Sequence, residues 1–136
     1  DYVTKEELRL EAYRRLAAVT TPEEVDDIRA EWQDRYGPLP EPAEALLTVG
    51  YLRAECHRLG IDDVLVSSHQ ARLAPLELKL SQATRLRRLA RDAIYKEEAR
   101  QLVVPIPRTR EPASYLVELL RQLVPAAAPA AAGASG

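Results

Sequence analysis

Apolar residues recur at helical spacing through the first sixty positions and then give way to short alternating runs. Leu8, Ala12, Leu16 and Val19 predict a first helix over about residues 5–18. Thr4-Lys5-Glu6-Glu7 ahead of it reads as a capping box, with Thr4 as the cap and Glu7 reaching back. Thr21-Pro22-Glu23-Glu24 is a second start of the same kind: Thr21 caps, Pro22 suits the first helical position and Glu24 closes the box. Val25, Ile28, Trp32 and Tyr36 make the buried stripe of the helix that follows. A third helix opens at Glu41-Pro42, turns Ala43, Leu46, Leu47, Gly50 and Ala54 inward, and stops at Gly60.

Beyond Gly60 the period changes. Val64-Leu65-Val66 predicts a short strand, and Leu76, Leu78 and Leu80, alternating with polar neighbours, predict its partner. Ser67-Ser68-His69-Gln70 then serves as the hairpin loop, with Pro75 at an edge position or bulge. Helical spacing returns from Ser81 to Asp92 through Ala83, Leu86, Leu89 and Ala90. A second hairpin sets Ala93-Ile94-Tyr95 against Leu102-Val103-Val104, around a turn from Lys96 to Arg100. Pro105, Pro107 and Pro112 stop strand growth. Leu116, Leu119, Leu120, Leu123 and Val124 form the apolar face of a terminal helix, so the domain is expected over residues 1–124. From Pro125 to Gly136 the chain is almost entirely Ala, Pro and Gly, which predicts a disordered tail. The fold class expected is α+β: three N-terminal helices, then a small antiparallel sheet from two hairpins with an intervening helix, and a C-terminal helix.

Composition narrows the setting. The chain has 136 residues, enough for one domain with a real core. Its 46% hydrophobic and 29% charged content is ordinary for a globular domain. No apolar run predicts a membrane span, no leader pattern is present, and one cysteine, Cys56, fits a reducing cytoplasm. A chain without methionine that begins at Asp1 is expected to be part of a longer polypeptide. The net charge of −2 hides an asymmetry: residues 1–63 carry 15 acidic and 8 basic side chains, residues 64–136 carry 6 acidic and 11 basic. Such a split fits either two differently charged binding surfaces or an unselected exterior.

Enzyme chemistry lacks its parts. The sequence has no glycine-rich phosphate loop, no G-x-G-x-x-G and no serine elbow, and no nucleophile–base pair can be nominated. Cys56 and His57 are adjacent, so on a helix they diverge by about 100° and cannot chelate one metal unaided. No catalytic residue, metal or cofactor is therefore expected in this chain. Two charged groupings remain. Arg85, Arg87, Arg88 and Arg91 fall on one helix, where Arg85, Arg88 and Arg91 share a side. They suit either a solvated face or a phosphate-contacting one, though no aromatic residue is interleaved for base stacking. Glu24, Asp27, Glu31 and Asp34 are spaced to line one side of the second helix. They suit either a solvated face or a basic partner.

The junction of the second and third helices carries the most distinctive residues. Glu31-Trp32-Gln33-Asp34-Arg35-Tyr36-Gly37-Pro38-Leu39-Pro40 closes one helix, places Gly37 where a left-handed residue ends it, and opens the next behind two prolines. The pattern E-x-x-D-R-[FY]-G-P-L-P, with Tyr2, Arg9-Leu10 and Tyr13-Arg14 upstream, resembles the C-terminal (TRCF) domain of bacterial transcription-repair coupling factors. The resemblance runs from about Tyr2 to about Val124 and is tight only as far as Gly60. Trp32 departs from it, standing where a smaller aliphatic residue is usual. The resemblance implies a non-catalytic, autoinhibitory interaction domain of a DNA translocase in transcription-coupled excision repair. The ATP-dependent motor, with its cofactor, would lie upstream in the parent protein. It also implies that Glu31 and Asp34 dock on basic residues of an excinuclease-B-like N-terminal module, masking its excinuclease-A-binding surface. Glu24 and Asp27 extend that set by spacing alone. RNA polymerase and DNA would be reached through the parent protein, and the chain itself is expected to be monomeric and cytoplasmic. The alternative is a nucleic-acid accessory domain using Arg85, Arg88 and Arg91.

Overall fold

The computed structural model describes residues 5–126, with helices α1 (Lys5–Ala17), α2 (Pro22–Tyr36) and α3 (Glu41–Leu59) in succession. Strands β1 (Asp63–Ser67) and β2 (Gln70–Ala74) follow, then α4 (Leu80–Leu89), β3 (Ile94–Lys96), β4 (Gln101–Pro105) and α5 (Pro112–Leu123). The expected class is therefore observed, an α+β domain with two hairpins in one antiparallel sheet of order β1-β2-β4-β3. Tyr2, the Thr4 cap and the tail beyond Ala126 lie outside the described residues.

The helices form where their caps and stripes predict. Thr21 Oγ1 accepts the Glu24 N–H at 3.3 Å, and a Glu24 carboxylate oxygen accepts the Thr21 N–H at 3.2 Å, so the box opening α2 is closed. Gly60 ends α3 at φ 76° and ψ 20°, the left-handed position where a Cβ would be strained. Gly37 differs from expectation. At φ 79° and ψ −158° it lies in a region open essentially to glycine alone, while its N–H still bonds the Gln33 carbonyl at 2.8 Å.

Helix α3 is the shared spine. Its first half packs with α1 and α2 around Leu16, Val19, Val25, Ile28 and Leu47. Its second half reaches a larger core built from the sheet, α4 and α5, in which Leu73, Leu102, Leu116, Leu120 and Leu123 are wholly buried. Gly50 sits where the N-terminal helices close on the spine; a Cβ there would stand 2.8 Å from Leu16 Cδ2. Tyr36 departs from the expected stripe and is half exposed.

The first hairpin corrects the strand expected at Leu76-Leu78-Leu80. Ser67 and Gln70 pair with each other, the turn is only Ser68-His69, and Ala71 and Leu73 point into the core from β2. Ser68 takes a positive φ of 53° at the tight turn. The alternating leucines instead lie on a connecting segment, with Leu76 buried and Leu80 open at the start of α4. Tyr95 explains why that segment is ordered without a ladder. Its hydroxyl donates to the Leu76 carbonyl at 2.7 Å and accepts the Leu78 N–H at 3.1 Å.

Candidate docking corner

The helical corner is built by Gly37, the two prolines behind it, the end of α2 and the start of α3, with the flank of α1 alongside. Trp32, Leu39 and Leu46 pack against the small N-terminal core. With Arg9, Arg15 and Arg35 they line a cleft of about 580 Å³ between α1, the end of α2 and the start of α3. The departure at position 32 thus has a structural consequence, since the indole takes part in the cleft wall. Arg35 lies 5.9 Å from the Tyr36 ring centre, a cation–π contact on the exposed side of the corner.

The four acids of the row on α2, Glu24, Asp27, Glu31 and Asp34, do not behave alike. Glu24 is turned back over the helix start, where one carboxylate oxygen accepts the Thr20 N–H at 2.7 Å as well as that of Thr21. Those two backbone donors, Thr20 first, hold its carboxyl below the usual range. A lowered folded value adds stability above the ordinary carboxylate pKa, and that stability is lost as pH falls through the folded value. Glu24→Gln is therefore expected to be less stable than the parental chain at neutral pH, with the gap closing at a pH acid enough to protonate the folded carboxylate. Urea unfolding at the two pH values measures it, and an unchanged gap would contradict the capping role.

Glu31 meets Arg15 Nη1 at 2.9 Å and Arg35 Nη2 at 3.7 Å, so its carboxylate is oriented by α1 as well as by its own helix. Asp27 and Asp34 are exposed and have no ion-pair partner among the described residues. Asp26, outside that row, accepts a short hydrogen bond from the Tyr51 hydroxyl. The outward electrostatic edge therefore consists of Asp27, Glu31 and Asp34, with Arg35 beside it, while Glu24 serves the cap.

Sequence spacing does not show the polar girdle that joins the two cores. Arg29 bonds both carboxylate oxygens of Glu44 at 2.8 and 2.7 Å, tying α2 to α3. Glu55 is buried, yet it bonds Arg58 at 2.6 Å and Arg121 of α5 at 3.3 Å. Arg121 and Arg29 also lie 5.4 and 6.0 Å from the Tyr51 ring centre. The partner of each charge is on another element or one turn away, which a linear pattern of polar residues does not reveal.

The arginine helix is partly committed to structure. Arg85 Nη1 donates to the Leu123 carbonyl at 2.8 Å and lies 3.5 Å from that of Gln122, satisfying the open end of α5. Arg87 and Arg88 remain exposed on α4. The helix stops at Leu89 with Ala90 extended, so Arg91, also exposed, lies beyond it and does not share the expected helical side with Arg85 and Arg88. Cys56 is buried and its thiol is pushed up to about 11 by burial and then by the neighbouring Glu55 carboxylate, whereas His57 faces outward.

The geometry defines an α+β domain whose polar groups cap helices, bridge elements and present a charged corner. The chain belongs to the TRCF domain family, whose profile matches residues 1–86. It is 46% identical over 109 residues to the transcription-repair-coupling factor of Mycobacterium tuberculosis, covering 79% of this chain and 9% of that protein. The factor of Escherichia coli is 39% identical over 61 residues, covering 45% of this chain and 5% of that protein. The chain thus spans under a tenth of the length of these relatives. A crystal structure of the C-terminal domain of a transcription-repair coupling factor superposes with a TM-score of 0.70 at 16% identity, covering 90% of this chain and 83% of that one. That likeness carries the fold, including β3, β4 and α5, which lie beyond the 1–86 profile match.

Proposed function

We propose that this domain is a non-catalytic regulatory clamp within a transcription-repair coupling factor. It docks through the α2 corner on an excinuclease-B-like N-terminal module. Docked, it covers the surface that takes excinuclease A; released, it exposes that surface. The supporting observation is the edge of Asp27, Glu31 and Asp34 on a rigid corner, within the segment that matches the TRCF family. Arg15 holds Glu31 in a fixed direction, so a basic partner meets an oriented carboxylate. The motor, its ATP and the contacts with RNA polymerase and DNA belong to the parent protein in this proposal, acting in the cytoplasm. Arg85 is engaged at the end of α5, which removes one of three residues from the nucleic-acid alternative.

The clamp is a tethered equilibrium. Tethering supplies an effective concentration on the order of mM, so a weak contact suffices to hold the intact protein closed. Exposed ion pairs contribute about 0.2–1 kcal/mol each, with register and partner choice as their larger effect. Opening then requires a ligand that favours the released state by a few kcal/mol, such as engaged polymerase. In the full-length protein, Glu31→Lys with Asp34→Lys is expected to raise capture of excinuclease A several-fold, while the isolated domain keeps its circular dichroism. Capture at the parental level, with the domain still folded, would overturn the docking assignment.

A further inference from the structure

The two edges of the sheet are defended differently. The outer strand β3 has three residues, ends in Lys96 and runs into Glu97-Glu98, a short charged edge that discourages pairing. The opposite edge, β1, has five residues of sequence Asp-Val-Leu-Val-Ser, without lysine or proline, and leaves Leu65 61% and Val66 41% exposed. Beside it lies a groove of about 620 Å³ whose floor is a stripe of α3, with Val49, Leu52 and Cys56, and whose wall includes Val64.

The hydrogen-bond phase of the sheet fixes what β1 offers. The Ile106 N–H bonds the His69 carbonyl at 2.7 Å, and Gln70 pairs with Pro105 in the same register. Alternation in an antiparallel ladder then turns the backbone groups of Ala71 and Leu73 in β2 toward β4, and those of Arg72 and Ala74 toward β1. Their partners Leu65 and Asp63 are thereby satisfied, while the N–H and C=O groups of Val64 and Val66 face the open edge.

We infer that β1 pairs with β1 of a second copy of this chain, antiparallel and two-fold symmetric about Leu65. The sequence of the strand is self-complementary in that register. Val64 stands opposite Val66 of the other copy, so the four outward backbone groups of each strand close into bonded pairs. Leu65 stands opposite Leu65, and Asp63 opposite Ser67, so no like charges meet across the strands. Antiparallel pairing keeps the inner faces on one side, which brings the two α3 grooves against each other with Val49 and Leu52 between them. Arg53, His57 and Asp62 line each groove, so the facing surfaces are mixed in charge. The contact is small beside a standard interface of about 1,600 Å², which places it among weak associations. It uses the edge of the sheet and none of the α2 corner, so it stands or falls separately from the clamp.

The test is sedimentation equilibrium of the 136-residue chain from about 10 μM to about 1 mM, a range suited to a weak interface. The weight-average mass is expected to rise toward that of a dimer. Leu65→Lys should abolish the rise through two lysines directly opposed, and Leu65→Glu should do the same with two glutamates. An equimolar mixture of the two variants should restore association, because lysine then faces glutamate. Slowed amide exchange at Val64 and Val66 with rising concentration should accompany the parental dimer. A monomer throughout the range overturns the proposal. So does undiminished association of Leu65→Lys, and a mixture that fails to associate rejects the two-fold register.

Discussion

Leu47→Ala is expected to destabilise the domain by about 3 kcal/mol, within the usual range for a wholly buried leucine. Leu47 has no exposed surface and sits where α3 meets both α1 and α2, among Leu16, Val25 and Ile28. The loss combines the transfer of the missing methyl groups with a cavity that three helices cannot close. It should be uneven across the molecule. The larger core holds its own wholly buried leucines, Leu73, Leu102, Leu116, Leu120 and Leu123, none of which belongs to the cluster around Leu47. Hydrogen exchange should therefore quicken most in α1 and α2, with β2 and β4 less affected. Because the charged corner stands on α2, the same variant should loosen it. Uniform acceleration through the sheet would show that the two cores open as one unit.

Glu55→Gln is expected to cost about 1–2 kcal/mol, the scale of losing charge-assisted hydrogen bonds to partly exposed partners. The side chain keeps its shape but no longer carries the charge that meets Arg58 and Arg121. Its burial argues for a large effect. The arginines argue for a smaller one, since their side chains are 25% and 47% exposed and can turn to water. Pairing Glu55→Gln with Arg121→Gln in a double-mutant cycle isolates the α3–α5 bridge, and a coupling of about 0.5–1 kcal/mol is expected. Zero coupling would mean that Arg58 alone holds the carboxylate.

The helices of this domain are legible in the chain because their ends are written locally. Thr21 and Glu24 close a box within four residues, and Gly37 and Gly60 stop two helices with backbone angles that suit glycine. Strand β2 is not legible. Gln70-Ala71-Arg72-Leu73-Ala74 offers one large apolar residue, whereas Leu76, Leu78 and Leu80 imitate a strand while serving as a connection pinned by Tyr95. The acid row can be read from its spacing. Its division of labour cannot, because Arg15 reaches Glu31 from another helix and the Thr20 and Thr21 amides draw Glu24 away. The burial of Glu55 is equally hidden. Its partner Arg121 is 66 residues distant, and only the packing of α5 on α3 brings them together.

The clamp is most directly tested by titrating this domain into the separately prepared excinuclease-B-like module in a calorimeter, at low and at high salt. Binding that weakens with salt, and that Glu31→Lys with Asp34→Lys removes, is the expected result. Absence of binding up to about 1 mM would contradict the clamp, because a tether of ordinary reach could not then hold the domain closed.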